Sequence, residues 1–353
     1  MYLRSCWYVA ALAHEITRLG PVARTLLDEK IVLFRTLDGR AAALQDRCPH
    51  RFAPLSAGQV GAHGIACGYH GMTFDGQGTC IANPTQAALP IAPRTKVRSY
   101  PIVERHGFLW IWMGDAGLAD PSDIPDYHCC DSPDWNGQTS YLHVKANYLF
   151  LVDNLLDLTH INFVHGDVLG NPEMIGNMVN DTELRPDGVT ERWLSPSAPA
   201  VPAWRAIINQ PWMEGNVDFW LDMDWAPASN MILDVGVKPP GADRSEGSGI
   251  VNVNCVTPET ATTAHYFYGA AIKAAVDNVN SVPFWAKAQA YAFAQDRLMI
   301  EALQANIGDQ WDILEMRPAV NVGDRAALHA RRVLRRLIAR ETRTPEREVV
   351  LVE

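Results

Sequence analysis

Apolar and polar positions divide the chain into two parts of different rhythm. As far as about residue 115 the apolar runs are short and separated by turn residues. Lys30 to Arg35 and Ala41 to Leu44 flank Asp38-Gly39, which predicts a hairpin. Asp75-Gly76-Gln77-Gly78 predicts another tight turn, and Gly107 to Met113 a buried strand. Between Gly114 and Pro133 the pattern breaks. Asp120-Pro121, Ile124-Pro125-Asp126 and Ser132-Pro133 read as a linker. We therefore expect a β-rich domain over residues 1–125 and a second domain over 126–353.

In the second part, Asn147 to about Phe163 has helical spacing, with Leu149, Val152, Leu155, Leu156 and Leu158 clustered. Residues 180–270 alternate and are rich in β-branched and aromatic side chains, which predicts a large antiparallel sheet. Its clearest strands are Met231 to Val237, Ile250 to Val256 and Ala264 to Tyr268. Pro283 to about Ala305 predicts a long helix with proline near its start. Asp324 to Arg340 predicts a final amphipathic helix. Its Arg325, Arg331, Arg332, Arg335, Arg336 and Arg340 form either a solvated face or a docking face for an acidic partner.

Composition narrows the function classes. Lys+Arg total 30 and Asp+Glu 40, a net charge of −10, which excludes a generally basic surface for nucleic acid. With 48% hydrophobic and 20% charged residues, the chain is too apolar to be disordered. No apolar run approaches the roughly 18 residues of a membrane span. Cys6 to Ala13 lacks the flanks of a signal peptide, so we expect a cytoplasmic protein without a membrane partner. The cysteines at 6, 48, 67, 80, 129, 130 and 255 are odd in number and scattered, which is no disulfide framework.

Two of those cysteines have histidine companions. Cys48-Pro49-His50 and Cys67-Gly68-Tyr69-His70 each offer one thiolate and one imidazole on a short loop. A single tetrahedral zinc could use such a set. One Cys and one His per loop better suits a [2Fe–2S] cluster with two thiolates on one iron and two imidazoles on the other. A second constellation is His160 and His165. Five residues apart, they diverge by about 140° on an ideal helix, so the helix must end, loosen or bulge between them. Two histidines and one carboxylate make the facial triad of non-haem Fe(II) oxygenases.

With both constellations present, the chain resembles the Rieske non-haem iron aromatic oxygenases, in the vanillate and dicamba O-demethylase branch. The resemblance runs through Trp7-Tyr8-Val9-Ala10, Cys48-Pro49-His50-Arg51 and Cys67-Gly68-Tyr69-His70-Gly71. It continues in Val152-Asp153-Asn154-Leu155, Asp157-Leu158-Thr159-His160 and Thr257-Pro258-Glu259-Thr260, and covers nearly the whole chain. It implies an α+β fold: an N-terminal all-β Rieske [2Fe-2S] domain, then a C-terminal helix-grip catalytic domain, a curved antiparallel sheet around a long helix. It implies that Cys48, His50, Cys67 and His70 hold the cluster. His160, His165 and an Asp of the late helix would hold mononuclear Fe(II). We assign that Asp to Asp296, with Glu301 as second candidate; the neighbour Gln295 is commonly acidic in relatives.

By the same resemblance, Asp157 hydrogen-bonds the ring of His160 and bridges to His50 or His70 of the next subunit in a homotrimer. Asn154, one turn before Asp157, is either an outer contact of the iron through its amide oxygen or a hydrogen-bond donor beside it, and we take the donor role. Asn230 and Trp285 contact substrate, and Asn254 stands where the family has a pocket histidine. The implied activity is that of a terminal oxygenase. It oxidises a small aromatic substrate with O2 and electrons that a separate reductase draws from NAD(P)H. O-demethylation of a methoxybenzoate such as vanillate, with release of formaldehyde, is the expected reaction. Arene dihydroxylation and methyl-group hydroxylation are alternatives, and a Rieske electron carrier without oxygenase activity is the alternative from another class. No Gly-x-Gly-x-x-Gly follows a strand, so we expect no nicotinamide site in the chain itself.

Overall fold

The computed structural model describes residues 2–170, 177–274 and 281–342. The N-terminal part is built from three small antiparallel sheets. Trp7–Leu12 pairs with Phe108–Trp112, which pairs with Ile102–Arg105. The expected hairpin is present as Glu29–Arg35 and Ala41–Gln45, with Val22–Leu26 added at its outer side. Its turn needs a left-handed residue, supplied by Gly39 at φ +89°. Four short strands between Gln59–Val60 and Cys80–Ala82 form the third sheet.

Phe108–Trp112 is apolar throughout because both its faces are covered. Leu109 and Ile111 join a core with Tyr8 and Leu33, while Phe108, Trp110 and Trp112 pack with Val253, Cys255 and Phe267 of the second part. The Pro- and Asp-rich segment after it is more than a tether. Asp115 and Asp120 cap short 3-10 turns, and Ile124, Tyr127 and Cys129 are buried in the same cluster as Trp110 and Phe267. The expected division at 125/126 falls within this packed layer.

The second part is one seven-stranded antiparallel sheet. Trp135–Val144 forms one edge beside Thr263–Lys273. Ser248–Thr260, Asn230–Lys238, Asn216–Ala226, Gly188–Pro199 and Val179–Arg185 follow in spatial order. Among the described residues five α-helices accompany it: α1 (Tyr148–Leu156), α2 (Ile161–Val164), α3 (Pro202–Ile207), α4 (Ser281–Ile307) and α5 (Arg325–Thr342). On α4 the buried stripe runs Trp285, Ala288, Gln289, Ala292, Asp296, Ile300, Gln304, the 3- and 4-residue steps of one helix face. Gly308 at φ +63° ends it. The fold is α+β, as expected.

The basic face expected on the last helix is only partly solvated. Arg331 is buried and grips both oxygens of Asp153 on α1, with contacts of 2.6 to 3.0 Å. Arg335 pairs with Asp312 and Glu315. These two arginines hold α5 in place and are not free for a partner.

Candidate active site

Asn147 starts α1 by accepting the Leu149 amide at 3.0 Å. The helix stops at Leu156, and the Asp157 carboxylate caps a new 3-10 turn, Leu158–His160, by accepting Thr159 N–H at 3.1 Å and Thr159 Oγ1 at 2.5 Å. One further turn, α2, carries the chain to His165, which lies just past the helix end at φ −118°. This ending resolves the spacing problem of the two histidines. Their rings meet edge to face, 5.3 Å apart, over the inner face of α4.

There Asp296 Oδ1 lies 3.1 Å from His165 Nε2 and 3.4 Å from His160 Nε2. One ligand atom from each of the three residues falls within 4.8 Å of the others. Burial opposes a charge on Asp296, but the two imidazoles outweigh it and hold the carboxyl well below its ordinary range. His160 feels the reverse: burial disfavours its cation, and Asp296 raises it above the usual value. A buried carboxylate between two imidazole nitrogens, on one side only, is the donor set of a facial iron triad. Glu301 takes no part; its carboxylate accepts the Lys145 amide at 3.0 Å.

The outer nitrogens are also placed. His165 Nδ1 donates to Gln295 Oε1 at 2.8 Å, which leaves Nε2 for the metal. Asn154 Nδ2 donates to Asp296 Oδ1 at 3.2 Å, the donor role expected for it. For His160 the expectation needs correction. Its Nδ1–H meets the backbone carbonyl of Asp157, not the carboxylate, which is occupied as the turn cap. Gln295 was not foreseen as a partner, although its place beside Asp296 in the sequence was the available signal. Gln295→Ala is expected to weaken iron binding about 10- to 100-fold, measured by competition with a chelator, with the fold unchanged.

The two Cys–His loops share one construction. Cys48 N–H donates to Ala53 O and Phe52 N–H to Cys48 O, each at 2.9 Å; Cys67 N–H donates to Met72 O at 2.8 Å and Gly71 N–H to Cys67 O at 2.9 Å. The fourth residue after each cysteine is left-handed, Phe52 at φ +61° and Gly71 at φ +74°. Both thiols are buried, and the rings of His50 and His70 are 4.5 Å apart. His70 Nδ1 is buried without a hydrogen-bond partner among the described residues. That is the state of a nitrogen reserved for a metal, and the four residues fit a Rieske cluster.

A model of the Rieske [2Fe-2S] domain matches residues 6–101, and a model of the vanillate O-demethylase oxygenase C-terminal domain matches residues 144–340. The chain belongs to the Rieske non-haem iron oxygenases. It is 38% identical to a putative toluene-4-sulfonate monooxygenase iron–sulfur subunit of Comamonas testosteroni, over 97% of this chain and 98% of the relative. It is 36% identical to the oxygenase component of dicamba O-demethylase of Stenotrophomonas maltophilia, over 95% and 98%. The crystal structure of dicamba monooxygenase with non-haem iron and dicamba superposes with a TM-score of 0.77 at 31% identity, over 97% of this chain and 98% of that one. This Rieske oxygenase is therefore a terminal oxygenase component with a [2Fe–2S] cluster and a mononuclear iron.

Beside the triad of this oxygenase lies an apolar cavity. Its walls include Trp204, Trp285, Phe219 and Phe293, with the two Trp rings 5.0 Å apart. Trp285 and Asn254 line it, as expected. Asn230 does not. Its amide reaches the Trp7 carbonyl at 3.4 Å and lines a separate crevice at the N-terminal strand. Strand parity explains the correction: Leu233 and Val235 face the pocket, so Asn230, an odd number of residues away, faces the opposite side of the sheet. The same parity puts Asn252 into the pocket beside Asn254, a residue the sequence reading passed over.

Proposed function

We propose that this oxygenase removes the methyl group of a small aryl methyl ether, the methoxybenzoates such as vanillate being the expected compounds. The observation that carries this reading is the placement of His160, His165 and Asp296 at one end of an aromatic-walled, almost wholly apolar pocket. The bound iron supplies O2 activation. The chain holds that iron through two imidazoles and one carboxylate, packs the arene between Trp and Phe side chains, and keeps water out of the reacting space. Hydroxylation of the ether methyl leaves a hydroxymethyl ether, which collapses to a phenol and formaldehyde.

Electrons come from a separate reductase that draws them from NAD(P)H. The working assembly is a homotrimer in which Asp157 of one subunit meets a cluster histidine of the next. Support for a covering neighbour comes from the surface. Phe52 and Tyr69, on the two cluster loops, are 62% and 61% exposed, and Phe163, on the iron-binding helix, is 76% exposed.

The test uses the enzyme loaded with both metal centres, a surrogate reductase and a panel of methoxybenzoates. Formaldehyde is expected in proportion to O2 consumed. A cis-diol or an oxidised ring methyl without formaldehyde selects the alternative oxygenase reactions. A cluster with no mononuclear iron and no product selects the electron carrier.

A further inference from the structure

Gln295 meets His165 with the oxygen of its amide, 2.8 Å from Nδ1. An amide has an oxygen that only accepts and an NH2 that only donates, and half a turn exchanges them with almost no change of shape. With the oxygen toward His165, Nδ1 carries the ring proton and Nε2 is left with a lone pair for the metal. With the NH2 toward His165, Nδ1 has to accept, and a neutral ring then carries its proton on Nε2, where it blocks ligation. Asp296 pulls toward this second state in the metal-free site, because its Oδ1, 3.1 Å from Nε2, would accept that proton. The pair of Gln295 and His165 does not by itself select the first state, since either orientation makes one good hydrogen bond.

A third residue makes the selection. The chain turns sharply after α2, with the amides of Val168, Leu169 and Gly170 donating to the His165 carbonyl at 3.0, 2.9 and 2.9 Å. On α4, Tyr291 and Gln295 stand four residues apart on one face. Asp167, in the turn, lies across both. Its Oδ2 accepts the Tyr291 hydroxyl at 2.8 Å, and its carboxylate also bonds the Gln295 side chain. An exposed aspartate is ionised at neutral pH and has only acceptor oxygens. It therefore takes the NH2 of Gln295, and the amide oxygen is turned to His165.

We propose that Asp167 is a positioning residue of the iron site: it fixes the Gln295 amide, and through it the tautomer of His165 that presents Nε2 to the metal. The inference rests on the triad reading of the iron site and is independent of the substrate. Asp167 lines no part of the apolar cavity and is not one of the three clustered ligands. It acts through two successive hydrogen bonds, from Gln295 to its carboxylate and from His165 to Gln295. Tyr291 has no share in the selection, because its hydroxyl donates to Asp167 whichever way the Gln295 amide faces.

The experiment measures ferrous-iron affinity of the mononuclear site by competition with a chelator, on full-length enzyme that keeps its cluster, with cluster absorbance as the check on folding. Asp167→Asn keeps the shape and can keep the Tyr291 bond through its oxygen, but it turns an NH2 to Gln295. The Gln295 oxygen is drawn to that NH2, and the Gln295 NH2 then faces His165. Affinity is expected to fall about 10- to 100-fold. Adding Gln295→Glu to Asp167→Asn is expected to restore most of it, because a carboxylate accepts from Nδ1 in either orientation. Tyr291→Phe is expected to leave affinity unchanged. Wild-type affinity in Asp167→Asn overturns the inference. So does a loss that Gln295→Glu does not repair, or one that Tyr291→Phe reproduces, since each would make Asp167 a brace of the turn and not the selector of the amide. A wild-type chain that holds no mononuclear iron overturns the triad reading and this inference together.

Discussion

Asp296→Ala is expected to empty the mononuclear iron site and abolish turnover while the Rieske cluster stays intact. The substitution removes the only anionic ligand of the triad, and two neutral imidazoles hold a hard divalent ion poorly. No described residue can take its place. Glu301, on the same helix, lies five residues and about 140° further round and is bonded to the Lys145 amide. The Asn154 amide turns its NH2 toward the lost oxygen at 3.2 Å and, being neutral, cannot restore the lost negative charge. The cluster ligands belong to the N-terminal part and do not depend on α4. Iron per chain should fall by the mononuclear share, with the visible absorbance of the cluster unchanged. Full iron content in this variant, with loss in Glu301→Ala, would move the third ligand to Glu301.

The metal residues were legible in the sequence because their chemistry is local. Each Cys–His loop spans three or four residues, and the two histidines sit on one short stretch that must break to bring them together. The break itself is read from Asp157, which caps a new turn where the old helix ends. The residues that orient those ligands were less visible. Gln295 acts across from α4 onto His165, 130 positions away, and only the tertiary pairing of α2 with α4 reveals it. Asn230 failed for a different reason. The resemblance places Asn230 in the pocket by position alone, whereas the pleat that turns Leu233 and Val235 into the pocket turns Asn230 to the other face. The same alternation puts Asn252 and Asn254, which pair with Leu233 and Met231 on the neighbouring strand, on the pocket face. Arg331 was misplaced because an arginine on an amphipathic helix usually reaches water; here Asp153 lies within reach and draws it in.

Asp157→Asn is expected to lower steady-state turnover about 10- to 100-fold while both metal centres and the fold persist. The fold should persist because asparagine is nearly isosteric and its amide oxygen can still accept Thr159 N–H, so the turn that carries His160 keeps its cap. His160 should keep its orientation too, since its Nδ1 is held by the residue 157 carbonyl and not by the side chain. What changes is the charge and one acceptor oxygen at the position where the cluster histidine of a neighbouring subunit is proposed to dock. Gly323→Ala is the companion variant. It adds a methyl group 2.6 Å from Asp157 Oδ1, keeping the carboxylate but pushing it from its place. If bridging depends on both charge and position, each variant slows turnover. In each, a single turnover started from enzyme with both centres reduced in advance should proceed normally, because no electron then has to cross the bridge. Wild-type steady-state turnover in Asp157→Asn, with iron and cluster absorbance unchanged, would remove Asp157 from the electron path and leave it the cap of the His160 turn.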